Sequence, residues 1–332
     1  MRRGTRITII AALACISLAS ACGGDGEQTA VTAADICAAT ADPAGLVSSG
    51  DLVETSGIAS SGLADDIFWA HNDSGDTARV FALGREVVDG RYHARQHASY
   101  TLPGVEAIDW EDMAVGPGPD EDASYLYLAD IGDNAAERPE VTVYRVREPE
   151  VVKQPDTPTT AEFGQVDQLT LTYPDHPHDA ETLLVDPIDG DLLIVTKEYQ
   201  SPTSLVFRAP GSLESGSTTT LEHVADIDFS ALGSSVRIPP DASAIVQGAP
   251  NLPTGGDVSP DGSLLIIRTY GTVWVSLRPE GRPLWEAFHT TTCEAPSAIE
   301  TQGEAIAFDA DGRGYFTISE GSSPAFNHFS AR

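Results

Sequence analysis

The chain has 332 residues, with 50 Asp and Glu against 19 Lys and Arg, a formal net charge of −31 and 41% hydrophobic residues. That length and apolar content suit one large all-β domain or two smaller ones. The charge excludes non-specific nucleic-acid binding, which needs Lys/Arg patches to neutralise phosphates, and it is compatible with a cation-binding, a salt-tolerant or a merely solvated acidic surface.

In chain order, the first element is an export signal over residues 1–21. Arg2, Arg3 and Arg6 form a positive start, Ile7 to Ala21 is apolar and short for a membrane span, and Ala19-Ser20-Ala21 precedes Cys22. The small residues before Cys22 resemble a bacterial lipobox, with Ala19 standing where the consensus prefers Leu. The resemblance implies a lipid on Cys22 and attachment to the outer surface of the cell membrane; an ordinary secreted protein is the alternative. Residues 22–36 then read as lipid attachment and a polar, flexible tether, and 37–332 as one folded domain. Cys15 leaves with the signal, so Cys37 and Cys293 remain as an even pair in an oxidising compartment and are expected to form a disulfide, the alternative being two buried thiols.

From Ser56 onward one pattern recurs five times: an oxygen-bearing residue, a short apolar strand, a turn, a second strand and a polar cluster. The copies are "SGIASSGLADDIFWAHNDSGD" from Ser56, "EDMAVGPGPDEDASYLYLADIGDN" from Glu111, "ETLLVDPIDGDLLIVTKE" from Glu181, "DVSPDGSLLIIRTY" from Asp257 and "EAIAFDADGRGYFTISEG" from Glu304. A third strand follows each copy ("RVFAL", "TVYRV", "SLVFRA", "TVWVSL", "FNHFS"). A more polar fourth follows most ("QHASYTL", "QLTLTY", "EHVADIDF", "LWEAFHTTTCE"). No segment carries sustained helical periodicity. Four antiparallel strands repeated radially make a β-propeller blade. The expected fold is therefore an all-β propeller of five blades, with room for a sixth in 231–255, closed by a strand from the segment between Cys37 and Val53.

In such a fold the first strand of each blade lines the channel and the second runs back beside it. The start of the first and the end of the second thus share one mouth. The expected channel ring is Ser56, Glu111, Glu181, Asp257 and Glu304. Around it stand His71, Asn72, Asp73, Asp130, Asp133, Asn134, Lys197, Arg268, Tyr270 and Glu320. Converging carboxylates raise one another's pKa or recruit a cation. An all-oxygen ring suits calcium better than zinc; carboxylates bonded to neighbouring backbone, or simply solvated, are the alternatives. Lys197 and Arg268, with Asn72, Asp133 and Asn134, are the expected holders of an anionic ligand, unless the two cations only neutralise nearby acids. His71 is the candidate acid or base.

No nucleophile elbow, Walker loop, dinucleotide fingerprint or H-E-x-x-H occurs. The segments "SGIASS…WAHNDSGD", "DWEDMAVGP…LYLADIGDN", "DAETLLVDP…GDLLIVTKE", "DVSPDGSLLIIRTY" and "QGEAIAF" together resemble a group of secreted bacterial β-propeller proteins, often lipoproteins. More distantly the chain is similar to phytase-like and esterase-like propellers. One oxygen donor per blade is similar to the calcium-dependent apyrases, matching Glu111, Glu181 and Glu304 in kind and Ser56 and Asp257 loosely. The resemblance implies the fold and hardly the activity. Two functions remain: a surface module binding a small anionic ligand or an envelope protein, with a divalent cation at the mouth, or a calcium-dependent hydrolase of a phosphorylated or other anionic substrate. The module is preferred because no catalytic constellation is decisive.

Overall fold

A computed structural model describes Met1, residues 30–153 and residues 157–331. The expected signal, Cys15 and Cys22 lie outside the described residues. The compact unit begins at Val31. The last residues of the expected tether are therefore part of the fold: α1 (Ala33–Cys37) opens with a reciprocal cap in which Thr32 Oγ1 accepts from Asp35 N and Asp35 Oδ2 accepts from Thr32 N. Its Ile36 is fully buried. Among the described residues no helix is long and apolar enough to cross a membrane.

The described chain is mostly β. After β1 (Thr40–Ala41) and β2 (Ala44–Ser48) come β3 (Thr55–Ser60), β4 (Ile67–Asn72), β5 (Arg79–Val88) and β6 (Arg91–Thr101). The second repeat forms β7 (Trp110–Pro117), β8 (Ser124–Asp130), β9 (Val141–Arg147), β10 (Thr159–Glu162) and β11 (Asp167–Thr172). The third forms β12 (Ala180–Val185), β13 (Leu192–Thr196), β14 (Ser204–Ala209), β15 (Thr218–Thr220) and β16 (Glu222–Ile227). Then follow α2 (Ala244–Gly248), β17 (Pro253–Val258), β18 (Leu264–Thr269), β19 (Val273–Leu277), β20 (Thr292–Ala295), β21 (Gly303–Phe308), β22 (Gly314–Ser319) and β23 (Ala325–Ser330). Within each repeat the main strands pair antiparallel in order, while β10 and β15 each add in parallel to the outer strand of the preceding repeat, β6 and β11. β12, β13, β18, β21 and β22 are buried along their whole length, which is why they read as unbroken apolar runs rather than as alternation. The turns between the first two strands need a left-handed residue, supplied by Gly190, Gly262 and Gly312 in "PIDG", "SPDG" and "DADG".

The first strands pack side by side in a closed order, β3 to β7 to β12 to β17 to β21 and back to β3. Each apolar cluster lies between two successive repeats. Trp69 and Val80 meet Trp110 and Leu128; Ala129 and Val143 meet Leu183 and Ile194; Val195 and Phe229 meet Leu265 and Trp274. Ile266 and Val275 meet Ile306 and Tyr315, and Phe316 and Phe326 return to Phe68 and Phe81. The chain closes through β1 and β2, both of which pair with β23.

Two elements differ from the sequence reading. Residues 231–252 contain no strand, only the end of a 3-10 turn and α2. "LWEAFH" is a 3-10 helix, Leu284–His289, started by Pro283, with Leu284, Ala287 and Phe288 buried. Those three sit at one helical face, and only the following "TCEA" is a strand.

Cys37 and Cys293 form a disulfide across 256 residues, tying α1 to β20. Cross-linking so long a loop restricts the unfolded chain. The double variant Cys37→Ser, Cys293→Ser should lose about 2–5 kcal/mol in urea unfolding; an unchanged midpoint would show that the N-terminal segment holds without the bond.

Candidate functional site

The starts of β7, β12 and β21 bring Glu111, Glu181 and Glu304 to one mouth of the ring, each at most 5% exposed. In each repeat the register slips once after the first paired residue, as between Trp110 and Asp112 or Gly303 and Ala305. That bulge turns the intervening residue away from the ladder. The same slip spans Thr55 to Ile58 and Pro253 to Gly255. The fourth member of the ring is therefore Thr254, and Asp257 does not belong to it. Asp257 stands three residues further along, roughly 10 Å at strand rise, beside a separate cavity of ≈ 370 Å³ lined also by Ser60, Gly116, Val185 and Phe308. Its carboxylate accepts from the backbone of Val258 and Phe308, both at 2.8 Å, and burial pushes its pKa to about 7.

Ser56 is buried, and its hydroxyl donates to the Glu111 carbonyl. Like Thr254, whose Oγ1 donates to the Gly303 carbonyl at 3.0 Å, it ties one first strand to the next. Asp112 does this most strongly. Fully buried, it accepts from Met113 N at 2.8 Å, Leu183 N at 2.9 Å and Gly256 N at 3.2 Å, joining β7, β12 and β17.

The loops supply the rest of the mouth. Asp73 follows β4 and lies between two carboxylate groups. One oxygen each of Asp73, Glu304 and Glu320 lies within 4.8 Å of the others, and the same holds for Asp73, Asp109 and Glu111. Asp109 and Glu111 crowd the loop at Gly132, where any side chain would run into both carboxylates. Burial, and then the charges of Asp73 and Asp179, push Asp109 to about 6. Burial, followed by Asp73, Asp109 and Glu304, holds Glu111 well above the usual carboxylate range. Burial and the neighbouring Glu304 push Glu320 to about 8. Glu304 Oε1 accepts from Gln302 at 3.1 Å and from Tyr270 at 3.5 Å, while its Oε2 is buried with no fixed donor and the raised Glu320 carboxyl shares a proton with Glu304.

Lys197 is the ammonium among these acids. It is 4% exposed, pairs with Glu181 Oε1, donates to the Tyr270 hydroxyl at 3.1 Å and lies over the Tyr199 and Tyr270 rings. A run Glu181–Lys197–Tyr270–Glu304 thus crosses from β12 to β21. Glu181 Oε2 has no donor.

The remaining expected site residues have other employment. His71 is fully buried, edge-on to Trp110, with Nδ1 donating to the Asn72 carbonyl at 2.8 Å; burial lowers its pKa. It is a core imidazole and not an acid or base for a ligand at the mouth. Asn72 accepts from Val53 N and Glu54 N and donates to Asp51 O and Asp76 Oδ2, so both ends of its amide staple the entry to β3. Arg268 is 2% exposed with Nη2 2.6 Å from Glu300 Oε2, and Glu300 Oε1 accepts from Thr317 and Asn327. It is a buried ion pair between β18 and the loop that leads into β21, closed to an anionic ligand. Asp133 accepts from Arg138 N at 2.7 Å and shapes its own loop, and Asn134 is exposed. The sequence reading missed Asp109, Asp112, Asp179 and Thr254. The doublet Glu111-Asp112 was a signal for one of them, since neighbours on a strand face opposite ways.

The raised carboxyls have a measurable consequence. Asp109, Asp257 and Glu320 hold protons in the folded state that the unfolded chain releases above about pH 4. Their contribution to stability is complete below that and is lost as pH rises through about 6 to 8. In chelator the melting temperature should therefore fall between about pH 5 and pH 8; a rise over that span would contradict the assignment.

No family model matches the chain, and no curated protein matches it. Among solved structures it is similar to the hydrazine synthase of Kuenenia stuttgartiensis, with 14% identity over 83% of this chain and 96% of that chain, at a TM-score of 0.38. It is also similar to the Dos1 propeller, with 9% identity over 83% of this chain and 68% of that chain, at a TM-score of 0.36. Likenesses of this size say nothing of activity.

Proposed function

We propose that the chain is an exported five-bladed β-propeller that holds a divalent cation at one mouth of its ring and through it binds an anionic ligand. The observation that carries this reading is Glu304 Oε2, buried without a fixed donor where Asp73 and Glu320 converge. There Glu304 and Glu320 sit together without a cation by sharing a proton, and a bound cation would take that proton's place. The donors available are Asp73, Asp109, Glu111, Glu304 and Glu320, all hard oxygens on two strands and several loops. That set fits calcium, which tolerates flexible geometry and many oxygens, better than magnesium or zinc.

Binding is preferred to hydrolysis because His71, the one expected acid or base, is buried in the core. The cation itself supplies the positive charge that an anionic group would meet. The disulfide and the apolar N-terminus favour export, with Cys22 carrying a lipid at the outer face of the membrane.

Calorimetric titration of the full chain with calcium tests the reading, followed by small phosphorylated and carboxylated ligands with and without calcium. Saturable calcium binding, with ligand heat that requires calcium, supports it. No heat with calcium, magnesium or manganese would leave the mouth a structural acid cluster.

A further inference from the structure

Leading into the start of β12, the loop between β11 and β12 reads "YPDHPHD" over residues 173–179. Pro174 and Pro177 fix two of its backbone angles. The His178 ring is buried, packed between Tyr173 at 4.9 Å and Phe207 at 5.2 Å. The His176 ring lies against it, centroid to centroid 4.2 Å, with its side chain 66% exposed.

The two imidazoles are oriented alike. His176 Nδ1 lies 3.0 Å from the Pro177 carbonyl, which can only accept, so that nitrogen carries the proton. His178 Nδ1 lies 2.8 Å from Glu198 Oε1, an acceptor likewise. In the neutral rings both Nε2 atoms therefore present lone pairs. Both face one carboxylate: His178 Nε2 is 3.1 Å from Asp175 Oδ1, and His176 Nε2 is 3.8 Å from Asp175 Oδ2. At these distances the carboxylate and the two imidazoles are held together either by a proton on His178 Nε2 or by a metal ion that all three face.

We propose that Asp175, His176 and His178 form a second metal site, for zinc or a similar borderline divalent ion, with Glu198 as the carboxylate that orients His178. The three ligand atoms already lie within 4.8 Å of one another. Two imidazole nitrogens and one carboxylate, with solvent on the open side, make a three-ligand zinc set that leaves a fourth position for water or a ligand. The Glu198–His178 pair is the arrangement that fixes a ligating imidazole and raises its basicity. Nitrogen donors separate this site from the all-oxygen mouth, so the two differ in metal preference.

The test is titration of the full chain with zinc by calorimetry and with cobalt by visible absorption, which reports nitrogen-containing tetrahedral coordination. Wild-type protein and Glu304→Gln should both bind zinc and develop the cobalt bands. His176→Ala, an exposed residue bonded only within its loop, should keep its melting temperature in chelator and lose the bands. Glu198→Gln should weaken zinc about 10- to 100-fold while retaining the spectrum. Absence of cobalt bands in the wild type, or equal zinc affinity in His176→Ala, would overturn the site and leave His178 as an imidazolium held between two carboxylates.

Discussion

Glu304→Gln should abolish the calcium-dependent rise in melting temperature and, in chelator, melt above the unaltered protein. The two halves have one cause. Glu304 is 4% exposed and shares its surroundings with Asp73 and Glu320, so without a cation its charge is offset there only by a proton shared with Glu320. Without a cation that charge is a cost; with one it is a ligand. Gln keeps an acceptor for Gln302 and Tyr270 while removing the charge. For the wild type, calcium at a hundredfold its dissociation constant stabilises by about 2.7 kcal/mol, roughly 4 °C for a domain of this size. If Glu304→Gln keeps the full calcium shift, the cation is held elsewhere. If it melts lower in chelator, the carboxylate is structural.

Lys197→Met should cost about 3–5 kcal/mol in urea unfolding, the range for stripping one partner from a buried ion pair. Glu181, 5% exposed and with one oxygen already lacking a donor, would be left as a buried charge with no partner. The double variant Lys197→Met, Glu181→Gln should recover most of that loss, because neither side chain then carries a charge. The folded fraction of the single variant should bind calcium more tightly, since the Lys197 ammonium sits in the field of Glu111 and Glu304. A loss below about 1 kcal/mol would place Lys197 with ordinary exposed pairs and return it to the role of a free anion holder.

The strands were legible because their signal is local. Val, Ile, Leu and aromatic runs bounded by "PIDG", "SPDG" and "DADG" specify a strand, a left-handed turn and a returning strand within twenty residues. Glu111, Glu181 and Glu304 were legible for the same reason, each opening such a run. "PTGGDVSP" was not. Thr254-Gly255-Gly256 reads as loop chemistry, so Asp257 looked like the first residue of the strand. Packing against β12 and β21 instead draws the strand back to Pro253. Glycine is acceptable there because Gly256 lies close under Leu184 and Gly255 against the Glu304 carbonyl. "LWEAFH" failed differently: six residues are too few to separate a helical period from a strand.

By itself the sequence determined the repeat of four-strand units, the acidic balance and one oxygen-bearing residue at the head of most repeats. All of these are properties of short segments. Only the tertiary structure decided which of those oxygens meet. Asp73 bridges residues from opposite ends of the chain, Lys197 turns inward to Glu181, and His71 and Arg268 withdraw into the core. Those outcomes depend on closing a ring whose first and last members are some 250 residues apart, and no local pattern of residues encodes the distance between two loops that closure brings together.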